Sequence, residues 1–214
     1  MRCAVCGTFR VVARSRARGD TGDAKDDLRR WDLYHAAAPV FGRLGFRAVT
    51  LKELAAACHL SASSLYYYFP SKLGLATFPL TSYRSTLRQI ERRVHDATED
   101  PRGLLIDVVD LASTQMIYAA LATRLAIEAG RADIPERLWR EASPQWQRVL
   151  AELISRASDI GVPRATQLAQ TFLDVLAGAS RSAGLRPPNA VREELLGVLR
   201  PHVMGLDADR LSKN

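Results

Sequence analysis

The 214-residue chain has few metal-binding or redox side chains, and this scarcity excludes several kinds of site. Its three cysteines are an odd number and do not suit a disulfide framework. Cys3 and Cys6 form a single CxxC, whereas a zinc site needs about four ligands, and neither a second CxxC nor an HxxxH lies nearby. The four histidines are scattered along the chain. We therefore predict no metal site and no cofactor.

Signals of enzymes and of membrane segments are equally scarce. The sequence contains no GxSxG nucleophile motif and no Gly-rich phosphate loop, so we do not expect an enzyme. The charged N-terminus is not followed by the apolar core of a signal peptide. No apolar run approaches the roughly 20 residues that span a bilayer. These absences predict a cytoplasmic protein without a membrane partner.

The residues that are abundant point to helices and to an anionic partner. Ala, Leu and Arg are frequent and few stretches alternate with period two, which favours an all-α fold. The net charge is +7, and it is unevenly distributed. Residues 28–72 contain six Lys and Arg against two Asp and Glu, whereas residues 73–214 contain eighteen against seventeen. The basic excess predicts a phosphate-binding surface within 28–72.

Two short helices joined by a tight turn are predicted within residues 50–72, TLKELAAACHLSASSLYYYFPSK. Thr50 and Glu53 have the spacing of a capping box, which starts the first of these helices. Ser61 suits the N-cap of the second helix, and Ser71 suits the N-cap of a third. Small side chains follow Ser61. They suit insertion into a DNA major groove, because bulky ones would hold the backbone away from the base edges.

With the helix before it, this stretch resembles the helix-turn-helix of the tetracycline-repressor (TetR) family. The resemblance rests on the capping Thr50, on the run Ser-x-x-x-Leu-Tyr-x-x-Phe that begins at Ser61, and on the pair Ser71-Lys72. It covers roughly residues 30–75. It implies base contacts near the start of the second helix and phosphate contacts from the aromatic and lysine residues around it. The implied DNA-contact residues are Thr50, Lys52, Ser61, Ala62, Ser63, Ser64, Tyr66, Tyr67 and Lys72.

Two positions depart from the family pattern. His59 stands where a glycine usually makes the turn, which predicts a strained residue at positive φ. Ser63 replaces a glycine that is common in the recognition helix. The residues expected to form the small core of the motif are Leu54, Ala55, Cys58, Leu60, Leu65 and Phe69.

The chain divides into three predicted parts: a flexible basic arm over 1–27, a helix-turn-helix DNA-binding domain over 28–75, and a helical ligand-binding and dimerisation domain over 76–214. The first helix is predicted at 28–45, with Gly45 ending it. Further helices are predicted at 71–98 with a kink at 77–79, and at 100–120, 121–131, 135–160, 164–183 and 188–204. Residues 206–214 are expected to fray.

The resemblance implies that the body is a helical bundle that binds a small molecule and pairs with a second subunit. Residues 167–183 are apolar around most of the helix, so we expect them to contact both the core and a partner. Leu195, Leu196, Val198 and Leu199 fit the same interface, and a homodimer suits a palindromic DNA site. Candidate ligand-binding residues are Tyr83, Met116, Tyr118, Arg124, Trp139, Trp146 and Phe172. Arg124 also has the i, i+4 spacing for an ion pair with Glu128.

These features predict a ligand-responsive transcriptional regulator, most simply a repressor that a small-molecule effector releases from its operator. One alternative is a DNA-binding architectural protein without a ligand, and another is an enzyme. The body distinguishes the first two, because a sizeable apolar cavity favours a ligand and a filled core favours the architectural protein.

Overall fold

The computed structural model describes residues 21–96, 100–181 and 187–203, and these ranges contain only helices and their connections. The predicted all-α fold is therefore confirmed over the described chain. The predicted arm residues 1–20 with Cys3 and Cys6, and the tail after 203, lie outside the described residues. The helices are α1 (Thr21–Ala48), α2 (Leu51–Ala57), α3 (Ala62–Tyr68), α4 (Lys72–Ala76), α5 (Phe78–Thr81), α6 (Tyr83–His95), α7 (Pro101–Glu128), α8 (Asp133–Ala157), α9 (Val162–Arg181) and α10 (Pro188–Leu199).

Three side-chain caps define the starts of α2, α3 and α4, as predicted. The Thr50 N–H and hydroxyl both donate to Glu53 Oε2 at 2.8 Å, and the Glu53 N–H donates back to the Thr50 hydroxyl at 3.3 Å. Ser61 Oγ accepts from the Ser64 N–H at 3.1 Å. Ser71 Oγ accepts from the Gly74 N–H at 2.9 Å. Each cap satisfies a backbone donor that the first turn of a helix leaves without a partner.

The first helix begins earlier than predicted, and its helical backbone is interrupted at Gly45, where its end was predicted, before the last residues up to Ala48. It starts at Thr21 rather than at 28, so residues 21–27 belong to a helix and not to an arm. That polar stretch has no apolar stripe to reveal a helix, but each added residue gains a hydrogen bond once a helix exists. At the other end, Gly45 adopts φ 73° and ψ 173° and interrupts the helical backbone. Pro39 is exposed within α1.

The helices up to α4 form a head whose buried residues are continuous with the core of the body. Phe41, Leu54, Leu65 and Phe69 are buried in it, and Leu60 packs against it. Cys58 is also buried, and its Sγ donates to the Leu33 carbonyl at 3.3 Å. The predicted core of the helix-turn-helix is thereby confirmed. Burial raises the pKa of the Cys58 thiol, so it stays uncharged near neutral pH.

The segment after the head breaks at the predicted place. Instead of one helix over 71–98, the chain forms α4, α5 and α6, with Thr77 and Ser82 between them. Pro79 lies in the first turn of α5, where its missing N–H costs nothing. The α6 helix ends at His95, and the remainder of the predicted helix lies outside the described ranges.

The body is built around α7, which contacts the head, α6 and the three helices that follow it. Two separate helices at 100–120 and 121–131 were predicted, and this was wrong, because α7 continues unbroken to Glu128. Its middle is rich in alanine and leucine, which favour continuation of a helix. By length and composition α7 could cross a membrane, but it is the core helix of this bundle. The α9 helix packs along α8, α7 and α10.

The leucines predicted to meet a second subunit instead form part of this chain's own core. Leu195 and Leu199 are fully buried and Leu196 is 1% exposed. The apolar side of α9 is likewise buried against α7, α8 and α10. These leucines cannot form a dimer interface, because side chains of the same molecule already surround them. Val198 is half-buried.

Candidate nucleic-acid interface and interior pocket

The start of α3 presents small polar side chains to solvent. Ala62, Ser63 and Ser64 are all exposed, and no bulky residue precedes them in the helix. The Ser61 hydroxyl shares hydrogen bonds with the hydroxyls of Ser63 at 2.9 Å and Ser64 at 2.8 Å. These hydroxyls can rotate to donate or accept, so they could exchange these bonds for groups on base edges. The surface is therefore narrow and polar, as contact in a major groove requires.

The aromatic residues of α3 have different environments. Tyr67 is 82% exposed and Tyr66 is 46% exposed, whereas Tyr68 packs partly against the core. The ring of Tyr68 meets that of Tyr67 edge to face at 5.1 Å. The two exposed phenols are available to an external partner. Tyr68 instead packs within the protein.

His59 makes the turn between α2 and α3 and is the only non-glycine residue with positive φ in the described chain, at 55°. The predicted strain is thus confirmed. Its N–H donates to the Ala56 carbonyl at 3.0 Å, and the next N–H, of Leu60, donates to the Ala55 carbonyl at 2.9 Å. These two bonds follow the pattern that ends a helix with a left-handed residue. They hold α3 at a fixed angle to α2.

Lys52 is exposed, but Lys72 has a structural role that the sequence did not reveal. Its ammonium group donates to the carbonyl oxygens of Phe46 at 2.8 Å and Val49 at 2.9 Å. It also lies 4.5 Å from the centre of the Phe46 ring. Two of its three donors therefore hold the turn between α1 and α2. A phosphate contact, which was the whole of its predicted role, would have to use the third.

Glu128 makes contacts between body and head that sequence reasoning missed. It was considered only as an ion-pair partner of Arg124, and that pair is present at 3.5 Å. The carboxylate also accepts the Phe46 N–H at 2.6 Å, across 82 residues of chain. The Arg47 Nε–H donates to the Glu128 carbonyl at 3.0 Å. One signal could have pointed to it: an anionic residue at a helix C-terminus opposes the helix dipole, so its position suggests another partner.

A pocket of about 390 Å³ lies in the body between α6, α7, α8 and α9, with α5 at one edge. Its inner wall consists of fully buried side chains, among them Ile90, Val108 and Leu150. Exposed Ile127 and Trp139 lie at its mouth. Five predicted ligand-binding residues line it, which are Tyr83, Met116, Trp139, Trp146 and Phe172. Their contact with a ligand stays a prediction.

The structure places the other two predicted ligand-binding residues outside this pocket. Tyr118 lies on the side of α7 that meets the head, where its ring is 4.8 Å from that of His35 and 5.8 Å from that of Tyr34. Arg124 is exposed beside Glu128. Neither residue lines this pocket, because the pocket takes a different face of α7, and contact of either residue with a ligand stays a prediction. Helical spacing alone could not tell the two faces apart.

A larger groove of about 560 Å³ lies beside α3, between α1 and α6. It is lined mainly by charged and polar groups, including Arg84, Arg88 and Asp27. Arg84 also pairs with Glu141 at 3.2 Å. Such a groove offers little apolar contact to a small molecule. The apolar pocket in the body fits the usual chemistry of ligand sites better than this groove does.

Comparison with known proteins agrees with this arrangement. The family model described as "Bacterial regulatory proteins, tetR family" matches residues 33–77, which run from the middle of α1 to the end of α4. No curated protein matches the chain. Solved structures show the same fold. A TetR-family regulator from Streptomyces coelicolor has 17% identity and a TM-score of 0.50, over 81% of this chain and 95% of that one.

Two further solved structures give the same result. NalD, the secondary repressor of the MexAB-OprM multidrug efflux pump in Pseudomonas aeruginosa, has 17% identity and a TM-score of 0.50, over 83% of this chain and 98% of that one. A transcriptional regulator from Rhodococcus sp. Rha1 has 18% identity and a TM-score of 0.50, over 79% and 93%. Residues 33–77 therefore match the tetR family of bacterial regulatory proteins, and the chain as a whole has the fold of these solved regulators.

Proposed function

We propose that this regulator is a repressor that binds an operator through α3 and is released from it by a small molecule bound in the body. The observation that carries the proposal is the apolar pocket of about 390 Å³, which is within the size range of ligand sites. An architectural DNA-binding protein would need no such space. The protein would act in the cytoplasm, where its DNA is, and by binding rather than by catalysis.

The DNA-binding half of the proposal rests on shape and charge. Ala62, Ser63 and Ser64 would approach base edges in the major groove, while Tyr66 and Tyr67 would meet the sugar-phosphate backbone beside it. Thr50, Lys52 and Ser61 are exposed around the start of the motif and could add backbone contacts. The excess of four positive charges within 28–72 would supply the non-specific attraction.

The chemistry of the pocket limits the effector to a mostly apolar molecule. Aromatic and aliphatic side chains dominate the wall, and the polar ones inside it are few, chiefly Thr86 and Gln115. Thr86 already donates to the Ser82 carbonyl at 3.4 Å. Charged Glu136 and Arg181 are exposed at the rim. We expect the apolar part of the effector inside, with any charged group toward the rim, because burial of an unpaired charge is costly.

Release would follow from a shift between two conformations of the body. An effector that binds one conformation more tightly increases its population, and DNA that prefers the other is then bound less tightly. The residues of α3 that contact the bases need not change their conformation. A compound that binds the pocket, detected as a raised melting temperature, should weaken DNA binding. A compound that binds there and leaves DNA affinity unchanged would contradict release.

The DNA-binding site is tested by removing one aromatic and one charge from it. We expect the variant with both Tyr66→Ala and Lys52→Ala to bind about 100-fold more weakly to the duplex that the wild type selects from random sequences, because each side chain contributes about 1–3 kcal/mol. Lys72 is left intact because its loss would also disturb the fold. The control is Arg148→Ala, which removes an exposed charge from the body. If the double variant and the wild type bound the duplex with equal affinity, the DNA would not contact the proposed surface around α3.

A homodimer remains part of the proposal, with a different interface from the predicted leucines. The outer face of α10 carries the small exposed residues Ala190 and Gly197. A Cβ at Gly197 would meet no atom of the described chain within 4 Å, so the surface there is open to a second helix. Two copies of this face could pack closely around a two-fold axis.

The dimer is tested by Gly197→Arg, which should convert it to a monomer in sedimentation velocity. An arginine would place charge and bulk in the proposed interface, while in the helix it is more favourable than glycine by roughly 1 kcal/mol. The matched control is Gly42→Arg on α1, where a Cβ also meets nothing within 4 Å. If the Gly197→Arg protein stayed dimeric, the dimer interface would not include this face of α10.

A further inference from the structure

The end of α7 holds the turn that leads into the helix-turn-helix. Glu128, the last residue of α7, accepts the Phe46 N–H at 2.6 Å. Its backbone carbonyl accepts from Arg47 Nε at 3.0 Å. Three residues after Arg47 the capping box begins at Thr50. The body therefore contacts the head by direct hydrogen bonds at the segment that positions α2.

Lys72 holds the same turn from the opposite side. Its ammonium binds the carbonyl of Phe46, and the carboxylate of Glu128 binds the N–H of the same residue. A cation on the carbonyl and an anion on the N–H each strengthen an ordinary backbone contact. Lys72 belongs to α4 and Glu128 to α7, so the turn is fixed between the head and the body. Movement of either helix relative to the other would change the position of Phe46.

The helix that ends at Glu128 also forms a wall of the pocket. Met116, Ala119, Thr123 and Ile127 line the pocket at spacings of three and four residues, and Ile127 directly precedes Glu128. No break interrupts the helix between Met116 and Glu128. A ligand that displaces this wall would therefore displace the carboxylate that binds Phe46. Connected rigid elements of this kind can carry coupling between sites.

We propose that Glu128 is a positioning residue that fixes the head for DNA binding and links its position to the occupancy of the pocket. This inference rests on the proposed function. The carboxylate acts on DNA affinity through the turn at Phe46 and not by contact with DNA. Its acceptor oxygen is the essential feature, because the donor is an uncharged backbone N–H.

Three variants separate the acceptor from the charge. Glu128→Ala removes the acceptor, whereas Glu128→Gln keeps an oxygen in place. Arg124→Gln is the control, because it removes only the exposed ion pair at 3.5 Å. We expect amide hydrogen exchange at Phe46 to become about tenfold faster in Glu128→Ala and to change little in the other two. This measurement needs no DNA, so it tests the contact even if the proposed function is wrong.

The same variants then test the link to DNA. Glu128→Ala should bind the selected duplex about tenfold more weakly, and Glu128→Gln should restore binding to within about threefold of the wild type. In protein labelled with 5-fluorotryptophan, DNA should shift the ¹⁹F signals of the pocket residues Trp139 and Trp146 in the wild type and not in Glu128→Ala.

Unchanged exchange at Phe46, undiminished DNA affinity, or an unchanged ¹⁹F response in Glu128→Ala would each overturn the inference. A melting temperature alone would not suffice, because any lost contact lowers it. Failure of the wild type to bind any duplex would instead refute the proposed function, and the exchange measurement would still decide whether Glu128 holds the turn.

Discussion

Replacement of Lys72 by alanine is expected to lower the free energy of unfolding by about 3 kcal/mol in the absence of DNA. The substitution removes two charge-assisted hydrogen bonds, to Phe46 and Val49, each of which contributes about 1.5–3 kcal/mol. It also removes the contact with the Phe46 ring, which adds about 0.5–1 kcal/mol. Water can replace part of this on a half-buried site, so the loss is smaller than the sum. Urea unfolding measures it directly.

This result distinguishes Lys72 from an ordinary phosphate-binding lysine. Lys52→Ala is the control, because Lys52 is exposed, and its loss should leave unfolding within about 0.5 kcal/mol of the wild type. A residue that only bound phosphate would lower the slope of log affinity against log salt by about 0.9 and would not affect the free protein. If Lys72→Ala changed only the salt dependence of DNA binding, the two carbonyl contacts would contribute nothing to the free energy of unfolding.

The position of Lys72 and its contacts illustrate which features could be predicted from the sequence. Its place after a capping serine was correct, because a cap depends on residues three positions apart. Its carbonyl partners could not be predicted, because they lie 26 and 23 residues away and depend on how α1 and α4 pack. The same contrast holds for Glu53, whose pKa is lowered by the Thr50 N–H and hydroxyl of a local motif. Hydrogen bonds between residues close together in the sequence could be predicted, whereas bonds between residues far apart in the chain could not.

The helical spacing of apolar residues showed which side chains are buried, but it did not show which part of the protein they pack against. The apolar stripe on α10 correctly indicated buried leucines, yet it did not show that α7 and α9 of the same chain cover them. Tyr118 was misplaced for the same reason, since an aromatic residue on a wide apolar helix can face either the pocket or the head. An apolar stripe shows which side of a helix is buried. Which neighbouring element covers that side depends on how all the helices pack.

The fold places its most constrained glycine at the junction of head and body. Gly45 has φ 73°, and a Cβ built on it would lie 2.9 Å from Glu128 Oε2. We expect Gly45→Ala to lower the free energy of unfolding by about 3 kcal/mol. The backbone at φ 73° and ψ 173°, which is essentially restricted to glycine, accounts for about 2 kcal/mol of this. The remainder comes from displacement of the carboxylate that binds Phe46.

A double-mutant cycle separates these two causes. In a Glu128→Ala background the clash is absent, so Gly45→Ala should cost only about 2 kcal/mol there, from the backbone conformation alone. The matched control is Gly42→Ala, three residues earlier on α1, where a Cβ meets nothing within 4 Å and no positive φ occurs. That substitution should stabilise the protein by about 0.5–1 kcal/mol, as expected for glycine replaced by alanine inside a helix. An equal cost of Gly45→Ala in both backgrounds would show that Glu128 does not press on the turn. A smaller cost without Glu128 would show that the Glu128 carboxylate at the end of α7 presses directly on the turn before α2.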